Sequence, residues 1–149
     1  MRLIVLAGLV SIEKIELAVA LAQHFMQTGQ SVTVIDNVRR LPLDNSQLDD
    51  VVAVRIDGAL GAQLIPALSG LPDDVVILAA SETISPDDLS LLLDDARQQI
   101  PGLDVQMLAL IDTRTCDCFP QFRVSLEAYA DRVVNLPAAI NEVVEVLSC

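Results

Sequence analysis

Residues 1–37 read MRLIVLAGLVSIEKIELAVALAQHFMQTGQSVTVIDN, and this stretch decides the fold. A short apolar run ends at Gly8, a helical pattern follows over residues 12–28, and a second apolar run ends at Asp36. Short continuous apolar runs on either side of an amphipathic helix indicate a βαβ unit, because strands covered on both faces lack the alternation of half-exposed strands. The stretch therefore predicts a parallel sheet with helices on both faces.

The remainder of the chain repeats this alternation of apolar runs and helical patterns. Ser85 and Pro86 open one helix with a serine cap and a proline at the first helical position. Four further strands are predicted over residues 51–56, 75–79, 105–111 and 133–136, and four further helices over residues 60–68, 86–99, 122–130 and 138–147. We expect one α/β domain over residues 1–149, with a mostly parallel sheet of about six strands and helices on both faces.

The loop after the first strand reads GLVSIEKI over residues 8–15 and partly matches a phosphate-binding loop. A working loop reads G-x-x-x-x-G-K-[ST], in which backbone N–H groups surround the phosphates, the lysine contacts them and the hydroxyl binds Mg²⁺. Gly8 and Lys14 stand at this spacing, but Glu13 replaces the second glycine and Ile15 replaces the hydroxyl. A carboxylate about 4 Å from a phosphate costs roughly 1 kcal/mol in water and about 4 kcal/mol at an effective dielectric of 20. Both replacements oppose nucleotide chemistry.

Two interpretations of this loop stay open. If it still binds a nucleotide or another anion, the residues near the carboxyl ends of the first two strands would hold the ligand. They are Gly8, Ser11, Lys14 and Asp36. Alternatively, Ile12 and Ile15 face the core, and Glu13 occupies the helix N-terminus, where the helix dipole favours an acid.

The first quarter of the chain resembles the ParA/MinD-type partitioning and positioning ATPases. That family reads K-G-G-x-G-K-[ST], followed by a helix with a leucine-alanine step, a glycine and a strand that ends in D-x-D. Here Lys14 matches the phosphate-binding lysine, Leu21 and Ala22 match the step, Gly29 follows, and Asp36 matches the first aspartate. The resemblance implies a P-loop NTPase-like three-layer α/β/α sandwich.

The same resemblance implies that catalysis is lost. Ala79 ends the fourth strand where the family carries the Walker B aspartate, so both magnesium-binding positions, Ile15 and Ala79, lack an oxygen ligand. Ser81 and Glu82 are the polar residues nearest to this strand end, and either could supply the missing polar group from a displaced position. The other departures are Leu9 at the signature lysine, Val10, Ser11 and Glu13 at glycines, and Val38 at the second aspartate.

The leading hypothesis is therefore a non-catalytic pseudo-ATPase that binds a protein. ParA/MinD-type proteins dimerise face to face across their nucleotides, so the resemblance places the contact surface at the carboxyl edge of the sheet. We call this edge, formed by residues 8–14, Asp36 and residues 114–122, the mouth. The partner would be a second copy or an active relative, in the localisation or assembly of a larger complex. Three residues are expected to contact it: Arg114, Phe119 and Phe122.

Two alternatives come from other classes of protein. In the first, the chain binds ATP and Mg²⁺ as an enzyme or switch, with Lys14 on the phosphates and Asp36 or Glu82 on the metal. In the second, Cys116 and Cys118 carry a metal or a redox function, because two thiolates per chain would supply four ligands in a dimer. The leading hypothesis needs no cofactor.

Charge and composition argue against several kinds of partner. The net charge of −12 opposes nucleic-acid binding, which depends on Lys and Arg. Residues 138–147 carry two glutamates and no basic residue, unlike helices that dock on anionic lipid. No apolar run reaches the roughly 18 residues of a membrane span, and the N-terminus shows no signal-peptide pattern. The odd number of cysteines, 3, indicates no disulfide framework, so we expect a cytoplasmic protein.

Overall fold

The computed structural model describes residues 1–38, 50–112 and 119–148. Within these ranges the chain alternates strands with helices along most of its length. In chain order the elements are β1 (Arg2–Ala7), α1 (Ile12–Gln27), β2 (Val32–Asp36), β3 (Val52–Arg55), α2 (Leu64–Ser69), β4 (Val75–Ala79), α3 (Pro86–Gln99), β5 (Asp104–Ile111), α4 (Pro120–Tyr129), β6 (Arg132–Asn135) and α5 (Ile140–Ser148). Every predicted strand is present, and each end lies within one residue of its expected position.

The strands of the described chain form one 6-stranded sheet in the order β3-β2-β4-β1-β5-β6. Every neighbouring pair is parallel, which confirms the predicted fold class. β1 lies between β4 and β5, so the loop that follows β1 begins between the carboxyl ends of both neighbours. Because all strands run in one direction, all their carboxyl ends lie along one edge of the sheet.

Both faces of the sheet are covered, which explains why its central strands are unbroken apolar runs. α1 and α5 cover one face, where they pack against residues that include Ile4 and Leu6 of β1. α2, α3 and α4 cover the other face, where Leu3 and Val5 are packed. Consecutive residues of β1 thus enter opposite cores, and the predicted three-layer α/β/α arrangement is confirmed.

α1 packs on the sheet through a stripe of residues at helical spacing. Ile15, Ala18, Ala22 and Phe25 are all buried in the core on that face. The expectation that Ile12 also faces the core is wrong, since its side chain is 60% exposed. Ile12 is the first residue of the helix and lies at the carboxyl edge of the sheet, beyond the stripe that the strands cover.

The other predicted helices are all present, but some of them begin at a different residue from the predicted one. α3 begins as predicted, and the Ser85 hydroxyl accepts a hydrogen bond from the Asp88 amide at 3.2 Å. α2 begins four residues later than expected, because residues 60–63 form a turn in which the Leu60 carbonyl accepts from two amides. α5 begins at Ile140 rather than directly after Pro137. Among the described residues, no helix is both long and apolar enough to cross a bilayer.

Gly8 allows the turn after β1 to pass close to β5. Its backbone has φ of +144°, and a Cβ placed there would lie 2.6 Å from the backbone oxygen of Leu110. A side chain at this position would therefore force the two backbones apart. In this structure the first glycine of the loop is required by contact with a neighbouring strand.

Candidate functional site

Lys14 lies at the carboxyl edge of the sheet, between the turns after β1 and β4. Its side chain is completely buried, with 0% exposed, although the residue belongs to the first turn of α1. The Nζ atom donates hydrogen bonds to the backbone oxygen of Gly8, at 2.8 Å, and to that of Ala80, at 2.7 Å. The lysine thus joins the turn after β1 to the turn after β4 and is directed into the protein.

Burial dominates the electrostatics of this lysine. Removal of an ammonium group from water disfavours its charged form, and the pKa of Lys14 falls from 10.5 to about 8. The negative charge of Glu82 partly opposes this fall. Lys14 is still largely protonated at neutral pH, and the two carbonyl oxygens replace part of the solvation that it has lost. It is also the only lysine of the chain, a signal that the sequence carries directly.

The other residues of the loop differ in their burial. Ser11 precedes α1 and makes no side-chain hydrogen bond to the helix N-terminus. The Ile15 side chain is buried in the core between α1 and the sheet, and Glu13 is exposed beside it on the first turn. The position that carries the magnesium-binding hydroxyl in a working loop is therefore occupied by a core residue.

The Asp36 side chain also makes its contacts within the protein. Its side chain is buried at the end of β2, where Oδ1 accepts a hydrogen bond from the Val38 amide at 3.1 Å. The same oxygen is 3.0 Å from the Arg55 guanidinium, whose Nε donates to Asp57 at 2.8 Å. Asp36 therefore stabilises the turn after β2 and ties it to the end of β3.

Asn37 is a structural residue that the sequence analysis did not select. Its buried Nδ2 donates to the backbone oxygens of Ile56 and Gly58, at 2.9 Å each, and its Oδ1 accepts from the Ser81 amide at 3.1 Å. The Ser81 hydroxyl in turn lies 2.8 Å from that of Thr83. One amide therefore joins the loops after β2, β3 and β4. The available signal was a polar residue directly after a buried strand, at the edge where ligands bind.

Among the described residues, two of the cavities along this edge fall in the size range of small-ligand sites. The first, of about 550 Å³, lies between the loops after β3 and β4 and is lined by residues that include Asn37 and Ser81. The second, of about 490 Å³, lies between α1 and the segment that precedes α5. Glu13, Glu16 and Asp112 line the second cavity together with apolar side chains.

The residues expected to contact a partner are only partly described. Arg114, Cys116 and Cys118 lie outside the described residues. Phe119 is 58% exposed just before α4, whereas Phe122 is half-buried and packs against the core beneath that helix. Of the two phenylalanines, Phe119 is the one that a partner can reach. In the part of the chain that the structure describes, no group of three or more His, Cys, Asp or Glu side chains could hold a metal ion.

The parallel sheet, its helix layers and the position of the loop after β1 define an α/β P-loop NTPase-like fold. The structure is similar to FtsY from Mycoplasma mycoides, with a TM-score of 0.56 and 14% identity over 91% of this chain and 51% of that chain. It is similar to the signal recognition particle 54 kDa protein from Aeropyrum pernix in complex with GDP, with a TM-score of 0.55 and 12% identity over 92% of this chain and 42% of that one.

A third similar structure is the signal recognition particle receptor FtsY from Elizabethkingia anophelis, with a TM-score of 0.55 and 16% identity. It covers 90% of this chain and 49% of that chain, so the present chain spans about half the length of the structures it matches. No protein-family model and no curated protein matches the sequence. At these identities the likeness establishes the fold.

The buried charge of Lys14 predicts a specific pH dependence of stability. Between pH 8 and 10.5 the native state has lost the Lys14 proton while the unfolded state retains it, so the free energy of unfolding rises with pH through this window. Relative to Lys14→Met, the wild type should gain up to about 3 kcal/mol between the two ends of the window. Urea unfolding of both proteins at several pH values measures this difference.

The two proteins share the N-terminal amine and the cysteine thiols that titrate in the same range, so these groups cancel in the comparison. Parallel curves for wild type and Lys14→Met would show that the lysine is solvated in the native protein.

Proposed function

We propose that this chain is a non-catalytic, ParA/MinD-like pseudo-ATPase whose mouth binds a protein partner. The observation that carries the proposal is the complete burial of Lys14 in hydrogen bonds to the backbone oxygens of Gly8 and Ala80. A lysine that contacts phosphates must present its ammonium group to the mouth. Here that group stabilises the protein itself.

The surroundings of the lysine support the loss of nucleotide chemistry. Ile15 and Ala79, at the two magnesium-binding positions, are both buried and offer no side-chain oxygen. Asp36 is paired with Arg55, and Glu13 places a negative charge on the first turn of α1. Positioning of Mg²⁺ and stabilisation of charge on the phosphates are the main contributions to phosphoryl transfer, and these side chains supply neither.

A protein partner is supported by exposed apolar side chains at the mouth. Ile12 is 60% exposed at the start of α1, and Phe119 is 58% exposed before α4. Large apolar side chains gain free energy when a partner removes them from water. The partner would be a second copy of the chain or an active relative, in the assembly or localisation of a larger complex in the cytoplasm. The net charge of −12 disfavours nucleic acid in this role.

A nucleotide-binding switch is the second candidate, and the fold is the observation that favours it. The similar structure from Aeropyrum pernix holds GDP. For this chain to bind a nucleotide in the same way, Lys14 would have to leave the oxygens of Gly8 and Ala80 and turn outward. The metal or redox hypothesis depends on Cys116 and Cys118, which lie outside the described residues, and it stays a prediction.

Isothermal titration calorimetry with nucleotides tests the non-catalytic assignment. We expect no binding heat from ATP, ADP, GTP or GDP up to millimolar concentration, with or without Mg²⁺, because the ammonium group is enclosed and the magnesium positions are apolar. FtsY from Elizabethkingia anophelis, which has been solved in complex with GDP, serves as the positive control. Saturable heat from the wild type that disappears in Lys14→Met would overturn the proposal and establish the switch.

Association through the mouth is tested with surface variants. We expect the immobilised chain to bind a second copy or a partner protein. The double variant Ile12→Ser/Phe119→Ser should bind less than half as much of that protein. Leu91→Ser is the matched control, because Leu91 is 68% exposed on α3 and is not one of the residues that form the mouth. Analytical ultracentrifugation then separates self-association from binding to another protein. A monomer that retains no partner, or equal losses in both variants, would contradict the proposed surface.

A further inference from the structure

Lys14 and Asn37 are joined by a single peptide unit, the one between Ala80 and Ser81. The backbone oxygen of Ala80 accepts a hydrogen bond from the Lys14 Nζ atom at 2.7 Å. The N–H group of the same peptide unit belongs to Ser81 and donates to the Asn37 Oδ1 atom at 3.1 Å. Because this peptide bond is trans, its C=O and N–H groups point in opposite directions. The lysine and the asparagine therefore bind opposite edges of one amide group.

The Asn37 side chain continues this series of hydrogen bonds to the loop after β3. Its Nδ2 atom donates to the backbone oxygens of Ile56 and Gly58, at 2.9 Å each. The orientation of the side-chain amide is fixed, because backbone oxygens only accept and the Ser81 N–H group only donates. All donors therefore point the same way, from Lys14 toward the loop after β3. We call this series of hydrogen bonds the relay.

The relay lies inside the protein and begins at a positive charge. Lys14, Ala80, Ser81 and Asn37 are all buried, so water does not screen the charge along the series. Each amide is a resonance system, in which a hydrogen bond to the oxygen makes the N–H group more positive and a better donor. In condensed-phase estimates, aligned hydrogen bonds strengthen one another by roughly 10–30% per bond. The ammonium group of Lys14 thus strengthens hydrogen bonds that it does not itself make.

We propose that the relay transmits the positive charge of Lys14 to the loop after β3, and that Lys14 is thereby a positioning residue for the first cavity. This cavity, of about 550 Å³, is lined by Gly58, which accepts one of the last bonds of the relay, and by residues 59–61 directly after it. Lys14 is not among the residues that line it. The lysine therefore stabilises a wall of the cavity through Asn37.

The relay links the loop after β1 to the first cavity in both directions. A ligand or partner that draws the ammonium group away from the Ala80 oxygen removes the charge from the start of the relay and weakens both bonds from Asn37. Because coupling between two sites is reciprocal, a ligand that displaces residues 58–61 also weakens the bonding of Lys14. The relay is a property of the folded chain, whether the mouth binds a protein or a nucleotide.

Scalar couplings across hydrogen bonds, measured by NMR on the full-length chain labelled with ¹³C and ¹⁵N, test the proposal. In the wild type we expect couplings from the Ser81 nitrogen to Asn37 Cγ, and from Asn37 Nδ2 to the carbonyl carbons of Ile56 and Gly58. In Lys14→Met, which keeps an apolar stem and removes the charge, all three couplings should fall, as each bond loses roughly 10–30% of its strength. Circular dichroism verifies the fold of the variant.

Two controls separate the relay from a general disturbance of the edge. The backbone hydrogen bond from the Ile56 amide to the Asp36 oxygen, at 3.0 Å, is the internal reference for the size of a coupling. Thr83→Val is the matched variant, because it removes a hydroxyl group that lies 2.8 Å from the Ser81 hydroxyl and leaves both bonds of the peptide unit in place. The couplings of the relay should be unchanged in Thr83→Val.

The reverse direction is tested at the lysine. Asn37→Leu removes the acceptor of the Ser81 N–H group, so the Ala80 oxygen becomes a weaker acceptor and the Lys14 Nζ signal should shift. Lys14 is the only lysine, so this signal is assigned without ambiguity. Thr83→Val should leave the signal where it is in the wild type.

Three results would overturn the inference. They are a wild type in which the reference coupling is observed and that from Ser81 to Asn37 is not, unchanged couplings in Lys14→Met, and equal changes in Lys14→Met and Thr83→Val. If Lys14→Met does not fold, the lysine signal in Asn37→Leu decides the question, and an unshifted signal there would contradict the relay.

Discussion

The hydrogen bonds from Lys14 to the backbone oxygens of Gly8 and Ala80 join the two central turns of the structure. β1 and β4 are neighbours in the middle of the sheet, and both end at the edge where parallel sheets bind ligands. A buried ammonium group is costly unless it is hydrogen-bonded, so the arrangement depends on both oxygens being in place. The lysine that would contact a phosphate in a working loop here stabilises the backbone around it.

The inward direction of the lysine leaves other side chains of α1 exposed at this edge. With the ammonium group directed inward, the exposed side chains on the first turns of α1 include the carboxylates of Glu13 and Glu16 and the apolar group of Ile12. Asp36 and Asn37 fix the adjacent turns through internal hydrogen bonds. The structure thus combines a P-loop NTPase-like fold with a loop lysine that is directed into the protein.

The fold was predictable because its strongest signals are local: each buried strand is a continuous apolar run that turn residues delimit. A helix start was less accurate where apolar spacing extends into a turn, as at residues 60–63. At Ile12 the helix start is as predicted, but the burial is not, because this residue lies beyond the part of α1 that the sheet covers. The contacts at the carboxyl edge were not predictable in the same way. Spacing identifies Lys14, but the direction of its side chain depends on Ala80, which is 66 positions away in the sequence. The role of Asn37 likewise depends on two distant loops.

NMR of protein labelled with ¹³C and ¹⁵N only at lysine tests the central claim most directly, because Lys14 is the only lysine and gives a single side-chain signal. The signal is followed over pH with and without Mg²⁺ and nucleotide. An internal, hydrogen-bonded ammonium group predicts a pKa near 8, as burial requires for Lys14, and no response to nucleotide. A pKa near the ordinary lysine value of about 10.4, or a signal that moves when nucleotide is added, would contradict the account.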